Sequence, residues 1–200
     1  MQDKLGTQMR AVGEVMSIGK NYKESFQKAI RSLENGRHGL GFAKDFNRKS
    51  LPELMELLRE PTSERQFILY EALRKGADID ELFRLTAIKK WFLTQMQELV
   101  DLEQRLLAYK GALPPDDLLK QAKQDGFADK YLATILRVSE TAIREKRLAI
   151  GCLEGWHAVP VSGVENAAYY YSSYIKSDSS SASSNRKKIC LLYTSPSPRD

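Results

Sequence analysis

The feature that most limits the fold of this chain is a run of apolar residues that recur at helical spacing between Ile88 and Tyr109. Apolar residues that return every three or four positions form one face of an α-helix, and other parts of the protein must cover that face. The run therefore predicts the longest helix of the chain, with a face that lies either in the core or in an interface. The residues expected on that face are Trp91, Phe92, Leu99, Leu102 and Leu106.

Shorter helices are predicted on both sides of this run from their start and stop signals. The segments 50–53 and 78–81 have the spacing of N-terminal capping boxes, and Thr62 or Ser63 is expected to cap the helix between them. Gly111 and the prolines that follow it end the long helix. The predicted helices span about residues 21–33, 50–60, 62–76, 78–85, 88–109, 116–124, 128–136 and 139–149.

The character of the chain changes after Gly151. Two aromatic and β-branched runs, 156–161 and 167–174, flank a turn sequence at 162–163 and predict strands or extended segments. Residues 177–185 are rich in serine, which is typical of a flexible linker. The fold class expected from the whole pattern is mainly α, a helical bundle with short extended segments on the C-terminal side.

Charge and hydropathy narrow the possible partners. The net charge is +5, but residues 50–176 carry 17 Lys and Arg against 19 Asp and Glu, so the positive excess lies outside the helical middle. No apolar stretch reaches the roughly 18 residues of a membrane span, and the first residues lack the apolar segment of a signal peptide. We expect no nucleic-acid partner, no membrane partner and a cytoplasmic location.

One local pattern is typical of a different function. Residues 129–147 have the helix, short turn and Ser139-capped second helix of a helix-turn-helix DNA-binding motif. Residues 127–148 carry five Lys and Arg against three Asp and Glu, which is a small excess for a protein that contacts phosphates. Two short helices packed inside a bundle are the favoured interpretation, and a DNA-binding regulator is the alternative.

The residues that usually carry chemistry are few and scattered. Cys152 and Cys190 are too few for a disulfide framework or a tetrahedral metal site, and both are expected to be reduced thiols. His38 and His157 have no further ligand at metal-binding spacing. The glycines of residues 36–41 lack the flanking strand and helix of a phosphate-binding loop. We therefore predict no catalytic, cofactor-binding or metal-binding residue in this chain.

Several segments resemble carbamoyl-phosphate synthase large subunits. Gly13-Glu14-Val15-Met16, within residues 6–20, is similar to the closing stretch of a synthetase unit in that family, although Arg10-Ala11 stands where Lys-Ser is commoner. Later segments follow the order of the family's helical oligomerisation domain and of the connection after it, although residues 156–163 depart from the usual pattern. These later segments are 79–83, 91–93, 126–129, 138–139 and 167–174.

This resemblance implies a division of the chain. Residues 1–20 would end the first synthetase (carboxyphosphate) unit, 21–150 would form the oligomerisation domain, and 151–176 would be an extended connection to the second synthetase unit. Residues 177–189 would hold the Ser-rich linker and the start of the next strand. Residues 190–200 resemble the in-frame translation of a sequencing-library adapter and are set aside as an artefact.

The resemblance also implies what a longer parent enzyme would do. The family makes carbamoyl phosphate from bicarbonate, glutamine-derived ammonia and two ATP, with Mg or Mn and with K, and it works with a glutaminase small subunit or domain. This segment would lack the ATP and metal sites, link the two synthetase units and self-associate through its helices. Residues 1–20 and 156–175 would then be poorly anchored, because their packing partners would lie elsewhere.

Overall fold

The computed structural model describes residues 6–7, 15–160, 162–163 and 168–175. Within these residues the chain forms eight α-helices, one short 3-10 turn and a two-stranded hairpin, so the predicted mainly α fold is confirmed. The helices are α1 (Tyr22–Ser32), α2 (Leu51–Leu57), α3 (Arg65–Arg74), α4 (Ile79–Thr86), α5 (Lys90–Leu107), α6 (Asp116–Gln124), α7 (Asp129–Leu136) and α8 (Glu140–Ala149). The 3-10 turn is Phe46–Arg48, and the strands are β1 (Gly155–Pro160) and β2 (Ala168–Ser173).

Helix α5 is the longest of the described helices and the centre of the core. Its 18 residues pack against α1, α3, α4 and α7. Leu93, Leu99 and Leu106 on α5 are fully buried. Burying a leucine side chain stabilises a protein by roughly 1.5–3 kcal/mol relative to leaving it in water, so covering this face favours the assembly of the other helices around α5.

Side-chain caps fix the starts of α2 and α4 where the sequence predicts them. At α2 the Ser50 side chain accepts a hydrogen bond from the Glu53 N–H, and the Glu53 carboxylate accepts from the Ser50 N–H at 2.7 Å. At α4 the Asp78 carboxylate accepts from the Glu81 N–H at 2.9 Å. These bonds satisfy backbone donors that have no partner within the helix.

The predicted cap of α3 by Thr62 or Ser63 is wrong. Helix α3 begins at Arg65, and its N-cap residue, Glu64, makes no side-chain cap. The Thr62 hydroxyl instead accepts from the Glu64 N–H at 3.3 Å, within the turn that precedes the helix. Short polar side chains bind the backbone of a turn as readily as they cap a helix, and sequence alone does not separate the two.

The two strands pair antiparallel, with Trp156 opposite Ser172. The predicted turn residues, Ser162-Gly163, lie between the strands, and Gly163 has a φ of 77°, which favours glycine. A two-stranded hairpin is marginally stable by itself in water, so contacts with the helices must support it.

Some of those contacts are made with α1. The buried Ser173 hydroxyl donates to the Glu24 carboxylate at 3.1 Å, and the Lys28 ammonium donates to the Ser172 carbonyl. The expectation that residues 156–175 are poorly anchored is therefore wrong for the described part of that range.

Several predictions of the sequence analysis lie outside the described residues. They concern Cys190, the linker and strand start at 177–189, the adapter-like residues 190–200, and most of the segment that resembles the end of a synthetase unit.

Candidate interaction surfaces and buried charge clusters

An exposed aromatic cluster lies where α1 meets the start of α5. It consists of Tyr22, Phe26, Trp91 and Phe92, and the Tyr22 ring centroid lies 5.3 Å from that of each other member. Trp91 and Phe92 remain 55% and 40% exposed. Contiguous aromatic surface that stays in contact with water is typical of a site where another protein surface binds.

The position of this cluster corrects the predicted buried face of α5. The three leucines of that prediction are confirmed as buried, at 0–2% exposed. Phe92 lies seven positions before Leu99 and therefore on the same face of the helix, yet it is 40% exposed. The buried residues of α5 begin only at Leu93, so the covering elements do not reach the start of the helix. Helical spacing therefore located the helix and its apolar face but did not show where along the helix that face is covered.

A cluster of buried polar groups lies between α3, α5 and α7. Glu103 is fully buried, and its Oε2 accepts hydrogen bonds from the hydroxyls of Tyr70 at 2.9 Å and Tyr131 at 2.5 Å. The Arg74 guanidinium pairs with the other oxygen of Glu103 and lies 3.6 Å from the Glu71 carboxylate. A buried charge is tolerated when it is paired and hydrogen-bonded, so these five side chains depend on one another.

The pKa shifts in this cluster favour its hydrogen bonds. Burial raises the pKa of the Glu103 carboxyl, and the Arg74 guanidinium opposes that rise. Burial and then the Glu103 charge raise the pKa of both Tyr70 and Tyr131 well above the ordinary value. The two phenols therefore remain protonated and continue to donate to Glu103. These properties suit a structural cluster that joins three helices.

The glycine-rich stretch of residues 36–41 packs against this cluster. A Cβ atom on Gly39 would lie 2.6 Å from the Tyr131 ring, and one on Gly41 would collide with Arg74 and Tyr131. The Gly41 N–H donates to the Tyr131 hydroxyl at 3.1 Å. Glycine at these two positions therefore permits a close approach of the backbone to α7.

A second charge cluster joins α6, α7 and α8 to the hairpin. The Asp129 carboxylate pairs with Lys123 at 2.6 Å and with Arg147 at 3.2 Å, and Arg147 pairs with Glu154 at 3.3 Å. Both cations lie over the Tyr174 ring, 4.8 Å and 5.4 Å from its centroid. Burial lowers the pKa of Lys123, and the Asp129 charge opposes that shift. We call these five residues the hairpin cluster, because they hold the end of the hairpin on the helices.

The hairpin cluster lines part of a polar pocket of about 450 Å³ between α1, α7 and the hairpin. The wall carries the cations Lys28, Arg31, Lys123 and Lys130 and an equal number of anions, Glu24, Asp129, Glu140 and Glu154. A wall whose charges neutralise one another gives no preference for an anionic or a cationic ligand. We therefore assign no ligand to this pocket.

Helices α7 and α8 have the order of the helix-turn-helix pattern, with Arg137 in the left-handed region (φ 56°) between them and Ser139 as the cap of α8. Two cations of α8 are bound within the protein, however. Arg147 belongs to the hairpin cluster, and Lys146 pairs with Asp116 at 2.6 Å. A DNA-reading helix presents its cations to phosphates. The arrangement favours two helices packed in a bundle.

Metal-site and membrane-span findings concern only the described part of the chain. There, no group of three or more His, Cys, Asp and Glu residues is arranged to hold a metal ion. No helix of that part is long and apolar enough to cross a bilayer. Cys152 is a buried free thiol, and burial raises its pKa. The absence of catalytic and cofactor-binding residues stays a prediction.

The burial of the glutamates Glu24, Glu71 and Glu103 was not predicted from the sequence. A signal for Glu103 was available, because it follows Met96 and Leu99 at helical spacing and so falls on the apolar stripe of α5. A carboxylate on an apolar stripe requires buried partners, and that requirement predicts a polar cluster inside the core.

Comparison with known proteins gives a consistent result. The family model described as "Carbamoyl-phosphate synthetase large chain, oligomerisation domain" matches residues 14–151. The "Carbamoyl phosphate synthase arginine-specific large chain, chloroplastic" of Arabidopsis thaliana is 40% identical over 202 residues, which cover 98% of this chain and 17% of that protein. The "Carbamoyl phosphate synthase large chain" of Archaeoglobus fulgidus is 37% identical over 96% of this chain and 18% of its own length. That of Pseudothermotoga lettingae is 40% identical over 98% and 17%. The chain thus spans less than a fifth of the length of these relatives.

Proposed function

The chain belongs to the family of carbamoyl-phosphate synthetase large-chain oligomerisation domains, and from this premise we propose that it links and assembles the synthetase units of a carbamoyl-phosphate synthase. The observation that carries the proposal is the family match over residues 14–151. That range begins before α1 and ends after α8, so it includes the whole helical body.

The proposed division of the chain follows the same premise. Residues 21–150 are the oligomerisation domain, and 1–20 are the end of the preceding synthetase unit. Residues 151–176 are the connection to the following unit, and 177–189 are the linker and the start of its first strand. Residues 190–200 are an adapter artefact. The bounds of α1 and α8, Tyr22–Ser32 and Glu140–Ala149, support the limits of the helical domain.

The two ends of the helical body suit a linking role. The exposed aromatic cluster lies on α5 and on α1, and α1 follows residues 15–18, of which Met16 is 90% exposed. A synthetase unit that precedes this segment would lie beside the aromatic cluster and would cover it. At the other end, the hairpin cluster fixes the direction in which the chain leaves α8. We propose that these two features set the relative positions of the two units.

The activity proposed for the whole protein is that of an ATP-dependent ligase. It would make carbamoyl phosphate from bicarbonate, glutamine-derived ammonia and two ATP, with Mg or Mn and with K. A glutaminase small subunit or domain would be its partner, and the ATP and metal sites would lie outside this segment. The proposed location is the cytoplasm, while the relative from Arabidopsis thaliana is named chloroplastic.

Sedimentation velocity of the 200-residue chain tests the assembly role. We expect a faster-sedimenting species whose fraction grows with protein concentration, because self-association is a mass-action equilibrium. A single monomeric boundary at every concentration would contradict that role. Labelled DNA duplex in the same cell tests the alternative, since salt-dependent co-sedimentation would favour a DNA-binding regulator.

A further inference from the structure

A groove between α2 and α4 has a pattern of charge that suits contact with its own copy. Its volume is about 440 Å³. The floor is apolar, and its Met55 and Leu85 side chains pack against the core while remaining partly accessible. The residues that line the groove are Pro52, Met55, Glu56, Arg59, Glu81, Arg84 and Leu85.

The two rims of the groove repeat one arrangement of charges. On the α2 side Glu56 is followed three residues later by Arg59, and on the α4 side Glu81 is followed three residues later by Arg84. Glu56 and Arg59 pair with each other at 2.7 Å, with side chains 74% and 64% exposed. An exposed pair of this kind contributes little to stability, so its charges are available to a partner surface.

Two-fold symmetry turns this arrangement into a complementary one. In a symmetric dimer the same patch is used on both copies, and a two-fold axis that runs across the groove, perpendicular to its rims, places each rim antiparallel to its own copy. A rim with Glu before Arg then places its glutamate beside the arginine of the copy, and its arginine beside the copy's glutamate. Opposite charges face each other in both directions, while the apolar floors are covered.

We propose that the groove between α2 and α4 binds the same groove of a second copy of this chain in a two-fold symmetric contact. The inference rests on the proposed function and names the surface that performs it. The exposed aromatic cluster is assigned to a different neighbour, because it adjoins residues 15–18. The groove is built from α2 and α4, which lie far in sequence from both ends of the described helical body.

Charge reversal tests the proposal. The variant R59E/R84E makes all four rim charges negative, so like charges meet wherever the two rims touch. Sedimentation velocity of the 200-residue chain should show association weakened by at least about tenfold, or about 1.4 kcal/mol, because each unfavourable contact occurs twice in a symmetric dimer. The matched control is K110E/R144E, which makes the same change of net charge at two exposed residues outside the groove and should associate like the parent chain.

A rescue variant separates lost contact from lost folding. Reversing all four rim charges (E56R/R59E/E81R/R84E) restores the alternation of signs and should restore association. The groove is not the self-association surface if R59E/R84E associates as strongly as the wild-type chain, or if the variant with all four charges reversed does not regain association. The proposed assembly role stands in both cases. A parent chain that remains monomeric overturns both proposals.

Discussion

Tyr131 on α7 donates its phenolic hydrogen to the buried carboxylate of Glu103 on α5 over 2.5 Å. The same hydroxyl accepts from the Gly41 N–H, so one side chain joins two helices and the glycine-rich stretch before α2. Buried networks of this kind fix one arrangement of the elements that share them, because each unpaired member would be costly. A module that holds other units in a fixed relation benefits from such rigidity.

Substitutions in this cluster should therefore separate a lost hydrogen bond from a lost charge partner. Tyr131→Phe should lower the free energy of unfolding by about 1–3 kcal/mol, because the Gly41 N–H and Glu103 each lose a buried partner. Glu103→Ala should cost about 3–5 kcal/mol, because it leaves the Arg74 guanidinium without its main partner. Urea unfolding followed by circular dichroism measures both. The control is Tyr109→Phe at an exposed position, and equal effects of the two tyrosine changes would contradict the account.

The stability of the chain should fall at high pH. Burial raises the pKa of Tyr70, Tyr131 and Tyr174 above the ordinary value of about 10. The folded state therefore retains protons that the unfolded state loses, and the stability that these groups contribute is complete below pH 10 and is lost as the pH rises above it. The pKa of Lys123 is lowered instead, which makes stability rise with pH. This opposite effect ends at about pH 10.5, the ordinary pKa of lysine.

An alkaline titration that follows phenolate absorbance and helical circular dichroism together checks this pH dependence. The absorbance of the two buried phenols, Tyr70 and Tyr131, should rise only as the helical signal disappears. Tyr131→Phe should make the loss of stability less steep, because one of the proton-retaining groups is removed. Complete ionisation of all nine tyrosines before any loss of helix would refute the prediction.

Two substitutions test the difference in burial between the first turn of α5 and its middle. Leu99→Ala should lower the free energy of unfolding by about 2–5 kcal/mol, because a fully buried side chain leaves a cavity. Trp91→Ala should cost about 1 kcal/mol or less in the 200-residue chain, because the indole is 55% exposed. Thermal or urea unfolding distinguishes them. Similar losses of unfolding free energy for the two variants would show that Trp91 is packed as firmly as Leu99.

The hairpin cluster should control how firmly the hairpin is held. Arg147→Ala removes the cation that Asp129, Glu154 and the Tyr174 ring share. Hydrogen exchange of the β2 amides should then be about tenfold faster or more, because local opening requires less free energy, while α5 amides keep their rates. Arg144→Ala on the exposed side of α8 is the control. Unchanged exchange in β2 would show that the cluster does not hold the hairpin.

Much of the fold could be predicted from local signals. The apolar period of α5 and the caps of α2 and α4 depend on residues that are close together in sequence, and the structure confirms them. Other features depend on partners distant in sequence. Glu103 lies 33 positions from Tyr70 and 29 from Arg74, so nothing beside it shows how its burial is compensated. A hydrophobic period identifies a face of a helix, but it does not show how far along the helix that face is covered.

The most direct test of the central claim replaces the matching segment of the Pseudothermotoga lettingae large chain with residues 14–151 of this chain. The quantity to measure is the rate at which the purified chimera forms carbamoyl phosphate, together with its molar mass in solution. If this segment is the architectural module of a synthase, the chimera makes carbamoyl phosphate and assembles as its parent does. A chimera that folds but neither assembles nor makes carbamoyl phosphate would contradict the claim.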